Sequence, residues 1–590
     1  PKKQALQEET RESVMPHVFP LLGEILELKS GESLLAKREF DTDEDLYLQH
    51  HTLGTQISTL DSELKALALI PLTVSLEILA EAALALVGNK FLIGMKDIVA
   101  TKWIAFEEKK VVLQISAKRR ITSEAVEVDV EIRIANDLQD HMNAFRAPLV
   151  RGTMILGDAY PAQPKAIPHS VKKELDYNFC SNEVYPKRLF HGSIFQTVDS
   201  VTHWGENGLQ GMLKVASAEG MFRSNPAPQF VTDPVLLDAM GQVIGVWAAK
   251  EPWNGSILFP FHVQAIHFFA PNPPTGEKVK FELDIMSANE TRVVANIDLA
   301  RKDNTILVRI EGWEDRNFYI TKPLHRFFLQ PIENTLSSAF SVFEEKMSEK
   351  GKLAFCMLEK FPDDFFQSHH RIWEKMLAYL IFNRQERQEW HAMGGNEKVR
   401  MQHLLGRAAA KDVVRLYLGM HHGLKLGPAD IIIENDSKGK PYATGTWIDT
   451  VGVAPDLSIS HTGMVVVAAA GRGVDRGIGI DVEDSNNLND DLLAGAFVDE
   501  ERRLAASINA NTLEWLTRFW CAKEAFCKAL GSGMTCSPKD IVVKGLNDKT
   551  EKVIMEARQN WTKEFPFLEG KKIEAYTFAQ GNIAIAACVL

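Results

Sequence analysis

Two groups of residues in this sequence stand at spacings that chemistry can use. In Gly477-Ile478-Gly479-Ile480-Asp481-Val482-Glu483 the alternation reads as a strand, so Asp481 and Glu483 project to one face. Neighbouring carboxylates repel unless a cation lies between them. Further along, Phe519 to Lys528 reads as a helix with Glu524 and Lys528 four apart on one face, and Glu524 supplies a third carboxylate. Three oxygen ligands with room for water and a substrate phosphate suit Mg²⁺. Cations and a hydroxyl accompany them. Arg407, Lys411 and Arg415 are spaced four apart, Lys440 stands between Gly439 and Pro441, and Ser460-His461 lies in the run Asp456 to Gly463.

The second group pairs an acid with a base. Asp233-Pro234 opens a helix in which Asp238 and Gln242 share a face, while Leu237, Met240, Ile244 and Trp247 form its apolar stripe. Gly241 and Gly245 let another element approach closely. Burial raises a carboxyl pKa and makes Asp238 a proton donor near neutral pH; the plainer alternative is an acid favoured by the helix dipole. Upstream, Tyr47-Leu48-Gln49-His50-His51-Thr52-Leu53-Gly54 holds a histidine pair. Imidazole, with a reference pKa of about 6.5, suits removal of a proton next to a thioester carbonyl.

These residues need elements to position them. Pro71 starts a helix with Leu72, Leu76, Leu79, Ala83 and Leu86 on one stripe, and alternating strands follow at Val111 to Ser116 and Val126 to Ile134. The Pro234 helix is likewise followed by strands at Lys278 to Ile285, Arg292 to Leu299 and Thr305 to Glu311. A buried helix wrapped by antiparallel sheet, twice in tandem, is the predicted architecture. Proline clusters at Pro148 to Pro168 and at Pro323 and Pro331 mark boundaries, and the polar stretch Gln330 to Lys352 reads as a linker. From about 353 the pattern changes to mixed helices and strands, including helices at Ile372 to Phe382 and His403 to Leu418.

The five segments GRAAAKDVVR (406–415), GKP (439–441), SISHTG (458–463), GIGIDVE (477–483) and FWCAKEAFCKALG (519–531) resemble, in that order, the recurring pieces of the larger single-chain 4′-phosphopantetheinyl transferases. The resemblance covers 353–590 and implies a pseudo-twofold α+β domain, with halves at 353–472 and 473–590 and coenzyme A bound between them. It implies that Asp481, Glu483 and Glu524 hold Mg²⁺ and that Lys528 engages the phosphates. Arg407, Lys411, Ser460 and His461 would meet the nucleotide phosphates, and Lys440 with Pro441 the adenosine end. Glu524 is the candidate base for a carrier-protein serine, and Phe497 to Arg502 resembles a carrier-engaging stretch.

YLQHHTLG, IPLTVSLEILAEAA (70–83), RLFHGSIFQ (188–196) and DPVLLDAMGQVIGVW (233–247) resemble the dehydratase domains of polyketide and fatty acid synthases, nearest the iterative enediyne type. That resemblance implies a double hot-dog fold, with halves at 1–170 and 171–328 and a linker at 329–352. His51 would take the α-proton of a carrier-bound 3-hydroxyacyl chain, Asp238 would protonate the departing hydroxyl, and Gln242 would position it. A His-x-x-x-Gly reading selects His50 instead, whereas the spacing from Leu48 selects His51. His191-Gly192-Ser193 stands where a Gly-Pro turn is common.

Composition bounds the rest. The 590 residues carry 66 basic and 78 acidic side chains, a net of −12, which argues against nucleic acid or anionic lipid as main partner. The expected partners are coenzyme A and an acyl carrier protein, in cis or in trans; the oligomeric state stays open, with a dimer compatible through a larger synthase. Six cysteines without a CxxC pair suggest neither a zinc site nor a disulfide framework. No apolar run reaches the roughly 18 residues of a spanning helix, and a cytoplasmic setting is expected. Pro1 in place of Met is read as a cut in a longer chain. An inactive docking scaffold and a thioester hydrolase are the rival readings of the first part.

Overall fold

Pro71, in the extended region, sets the entry to helix α1, Leu72–Val87. Leu76, Ile78, Leu79, Ala80, Ala82 and Ala83 are all fully buried, so α1 is hydrophobic nearly all round and forms the axis of a core. The antiparallel strands Ser33–Asp41, Lys110–Arg119, Val126–Ile134, Val150–Gly157 and Phe91–Ala100 curl around it, each bonded to the next. Along Lys110–Arg119 the alternation turns Leu113, Ile115 and Ala117 inward.

Helix α2, Pro234–Ala248, repeats the plan. Asp233 caps it by accepting the Leu236 N–H at 2.9 Å, and Pro234 occupies the first turn. Strands Ser256–Phe268, Ile306–Tyr319, Arg292–Ala300, Lys278–Ala288, Gly208–Lys214 and Val198–Gly205 follow in sheet order. The two halves join where Phe91–Ala100 pairs antiparallel with Ser256–Phe268, for example Met95 with Ile266, making one sheet of thirteen strands among the described residues. α1 and α2 pack on each other beneath it. Gly241 is needed here, because a Cβ would lie 2.8 Å from the Trp313 ring.

This computed structural model describes residues 19–121, 125–135, 147–166, 171–174, 179–185, 187–249, 254–394, 396–472, 477–508, 511–547 and 551–590. Pro1, Pro168 and Gly473 fall outside the described residues. The chain divides into two units: the first holds the described residues up to Leu53 together with Leu67–Ile320, and the second holds Gly54–Ala66 and Thr321–Leu590. The first is the pair of wrapped helices.

The second unit has two antiparallel sheets. A six-stranded sheet runs Ser338–Ala339, Lys352–Leu358, Val465–Arg472, Asp456–Thr462, Pro441–Thr444 and Ile432–Asn435 in order, with helix α3, Glu397–His422, packed against it. A five-stranded sheet, from Ile478–Asp484 to Ile541–Asn547, carries helix α4, Thr512–Leu530. The stretch 329–352 is not a linker: Ser338–Ala339 is a strand of the first sheet, and Phe343 and Met347 are buried in the core.

Gly54–Ala66, expected within the first hot-dog half, belongs to the second unit instead. Asp430 explains it. Its carboxylate accepts from the Ser58 hydroxyl, from the Thr59 N–H and hydroxyl at 2.8 Å each, and from the Leu60 N–H at 3.2 Å. Arg387 donates to the Lys65 carbonyl at 2.7 Å. A partner some 370 residues away is invisible to local pattern.

Candidate active sites

In the first unit, a 3₁₀ turn, Leu46–His50, delivers His51 to the short strand Thr52–Leu53, which pairs with Leu67–Ala68. The imidazole Nδ1 lies 3.1 Å from the Leu69 carbonyl oxygen. A carbonyl only accepts, so Nδ1 carries the proton and Nε2 keeps its lone pair. Phe190 and Phe195 stand edge-on to the ring, each at 5.5 Å. Burial in this aromatic setting pulls the His51 pKa down to about 4, which leaves a neutral imidazole at neutral pH.

Asp238 faces the same space from α2. Gln242, one turn on, donates to its Oδ2 at 2.7 Å and to the Phe195 carbonyl at 3.0 Å, and the Tyr185 hydroxyl donates to Gln242. The Gln242 amide is thereby fixed and holds one carboxylate oxygen in place. Burial pushes the Asp238 pKa up to about 7, although the Gln242 contact works the other way. The same desolvation favours an uncharged base and an uncharged acid side by side, the pair that acid–base catalysis at neutral pH requires.

A third group completes the cluster. His191 Nε2 lies 3.4 Å from Asp238 Oδ2, and one nitrogen of His51, one of His191 and an Asp238 oxygen all fall within 4.8 Å of one another. Sequence reasoning registered His191 only as an irregular turn; the signal was a titratable ring in the segment RLFHGSIFQ. His50 is outside this cluster, with its Nδ1 3.4 Å from the Ser193 hydroxyl.

In the second unit, Gly479 decides the geometry. A Cβ there would lie 1.9 Å from the Ala525 carbonyl oxygen, so only glycine lets α4 rest this close on the strand Ile478–Asp484. That approach sets Glu524 and Lys528 against Asp481 and Glu483. Ser460 Oγ donates to Asp481 Oδ1 at 2.7 Å, and Lys528 Nζ donates to the same oxygen at 2.8 Å. The other oxygen, Oδ2, is buried without a partner. Burial and the charges of Asp481 and Glu524 push Glu483 up to about 7, and burial with Asp481 raises Glu524. A partly buried carboxylate cluster with one unsatisfied oxygen fits a hard divalent cation.

The remaining predicted residues divide. His461 is exposed beside Ser460 on its strand, and the Lys440 ammonium reaches Asp456 at 3.4 Å with its side chain alongside Gly531. Pro441 opens its strand, and Arg407 is half-buried on α3. Lys411 and Arg415 are not phosphate ligands. Lys411 is fully buried, with Glu386 and the Ile381 carbonyl each at 2.6 Å. Arg415 is spent on Asp412 at 3.3 Å and on the carbonyls of Leu426, Pro331 and Ile332. The four-residue spacing does put them on one face, and that face is packed. Glu501 of the expected carrier-engaging stretch is also internal, held by Lys523 at 2.9 Å and by the Val543 N–H at 2.9 Å.

Comparison with known proteins finds two matched regions in the chain. Residues 477–588 match the 4′-phosphopantetheinyl transferase superfamily, and residues 160–319 match the polyketide synthase dehydratase N-terminal domain. The holo-[acyl-carrier-protein] synthase of Bacillus subtilis (strain 168) is 34% identical over 89 residues, which cover 15% of this chain and 70% of that protein. The L-aminoadipate-semialdehyde dehydrogenase-phosphopantetheinyl transferase of Xenopus laevis is 26% identical over 159 residues, 24% of this chain and 52% of that protein. The chain therefore spans about half the length of the latter relative. Among solved structures, the dehydratase domain from the CurF module of curacin polyketide synthase is similar at TM-score 0.38 and 18% identity, covering 51% of this chain and 99% of that one. A trans-AT polyketide synthase dehydratase domain from Brevibacillus brevis gives TM-score 0.39 and 15% identity, covering 52% and 100%. By its C-terminal region the chain belongs to the 4′-phosphopantetheinyl transferase superfamily, and ahead of that region it carries a dehydratase domain of the polyketide synthase kind.

Proposed function

We propose that the protein is bifunctional: it dehydrates carrier-bound 3-hydroxyacyl thioesters to 2-enoyl thioesters, and it transfers 4′-phosphopantetheine from coenzyme A to a carrier-protein serine. The observation that carries the first activity is the buried base–acid pair, His51 at about 4 and Asp238 at about 7. His51 Nε2 removes the α-proton, and Asp238 gives its proton to the 3-hydroxyl, which leaves as water. Gln242 holds the carboxyl group in line, and the aromatic rings exclude solvent from the cluster.

For the second activity, Asp481, Glu483 and Glu524 would hold Mg²⁺, which when bound neutralises charge developing on the coenzyme A pyrophosphate. Lys528 adds a cation beside the same carboxylate oxygen, and Ser460 orients Asp481. Glu524, raised by burial, is the candidate base for the carrier serine. Arg407, Lys440, Pro441 and His461 form the proposed nucleotide contacts. The partners are then an acyl carrier protein, in cis or in trans, and coenzyme A. A cytoplasmic setting accords with free thiols at Cys356, Cys521, Cys527, Cys536 and Cys588.

Mass spectrometry of a 3-hydroxyacyl-carrier incubated with the protein tests the dehydratase: loss of water supports it, free acid indicates hydrolysis, and no change leaves a docking scaffold. For the transferase, an Asp481→Ala protein that still loads apo-carrier in Mg²⁺ would sink the metal assignment.

A further inference from the structure

Dehydration leaves an uneven account of protons. His51 ends the chemical step protonated at Nε2, and Asp238 ends it as a carboxylate. Before another substrate can react, one proton must pass from the first to the second. Solvent is poorly placed to carry it, since His51 is 7% exposed and His191 8%.

We infer that His191 is the relay that resets the site, carrying a proton from His51 Nε2 to Asp238 Oδ2 after each elimination. The proton breaks its bond to His51 Nε2, is held on His191 Nε2, and forms its final bond to Asp238 Oδ2 at the observed separation of 3.4 Å. His191 takes and gives at the same nitrogen, so it finishes each cycle in the tautomer in which it began. No oxidant, reductant or further reactant enters.

The way the groups are anchored supports this role. His51 is pinned by the Leu69 carbonyl, and Asp238 by Gln242. His191 Nδ1, by contrast, is buried with no hydrogen-bond partner, an expense that a static packing residue would not need. The ring is instead stacked on Phe190, centroids 4.3 Å apart and 17° between planes, and carries no anchoring hydrogen bond at Nδ1. Its centroid is 5.3 Å from that of His51. The net transfer is downhill, because the buried His51 imidazolium, at about 4, is a stronger acid than the Asp238 carboxyl, at about 7; burial and the neighbouring His51 hold His191 well below the usual imidazole value, so it passes the proton on rather than storing it.

This inference rests on the dehydratase reading, and one experiment separates the two. Rapid-quench and steady-state rates are measured on the full chain with a 3-hydroxyacyl N-acetylcysteamine thioester, for the wild type, His191→Gln and His191→Phe. The first turnover uses the His51–Asp238 pair as loaded, so it should fall clearly less in both variants than steady-state turnover, which drops about tenfold or more. Added imidazole should restore steady-state turnover to His191→Gly. Equal loss in both phases, or loss in neither, overturns the relay while leaving dehydration intact. A wild type that never dehydrates overturns both. Should the variants fold poorly, the wild type alone decides: with substrate deuterated at the α-carbon, the relay passes the same deuteron on to Asp238, so a larger isotope effect on steady-state turnover than on the first turnover is expected, and identical effects on both refute the relay.

Discussion

At the scale of single residues, one physical cause sets both halves of the dehydratase pair. Burial costs the charged form of any group, so it lowers an imidazole and raises a carboxyl. His51 is in its basic form above about 4 and Asp238 in its acidic form below about 7. The rate needs both forms together, so kcat/KM for dehydration should be flat between those values. It should fall as pH rises through 7, where Asp238 loses its proton, and fall again toward pH 4, where His51 gains one. A rate that keeps rising above pH 8 would remove Asp238 as the acid. The histidine pair gives a second test. His51→Ala should lose about 10²–10⁴-fold in dehydration, the usual worth of a general base, while His50→Ala stays within a few-fold. The reverse result would move the base to His50. The sequence pattern carried both histidines and could not rank them, because the choice depends on a carbonyl, that of Leu69, brought back by a two-strand pairing.

At the scale of elements, periodicity found most helices and strands, and it placed Asp238 with Gln242 and Glu524 with Lys528 correctly on shared faces. It could not say what each face meets. Arg407, Lys411 and Arg415 share a face of α3, yet only Arg407 escapes full burial, since Glu386 from the helix Arg384–Ala392 closes over Lys411. Side chains of 0% and 8% exposure make this a buried ion pair, which costs about 3–5 kcal/mol when one partner is removed and the other is left charged. Lys411→Met should therefore lower stability by about that amount in denaturant titration. The KM for coenzyme A in the folded protein should stay as in the wild type. A raised KM with unchanged stability would return Lys411 to the phosphate site. His191 was missed for the complementary reason: it lies in a loop, where no period marks the inward direction.

At the scale of the whole molecule, the chain path matters. It passes from the first unit to the second after Leu53, returns at Leu67, and crosses again after Ile320. The proline cluster at Pro323 and Pro331 led to a predicted boundary at 328, whereas the unit ends at Ile320. Nothing in composition marks the first two, since Gly54–Ala66 is held by hydrogen bonds to Asp430 rather than by an apolar stripe. Hydrogen bonds to a charged acceptor contribute roughly 1.5–3 kcal/mol each when measured singly. Asp430→Ala removes the shared acceptor, so local opening of Gly54–Ala66 should become easier by at least one such bond. A difference of about 1.4 kcal/mol is tenfold in an opening equilibrium, and cleavage by trypsin after Lys65 tracks that equilibrium when reclosing is fast. Lys65 is protected while Arg387 holds its carbonyl. The full-length Asp430→Ala protein should therefore be cut after Lys65 about tenfold or more faster than the wild type, with other tryptic sites unchanged. Cleavage at the wild-type rate would mean that packing, such as that of Gly54 against Leu380, and not the carboxylate, keeps the segment in place.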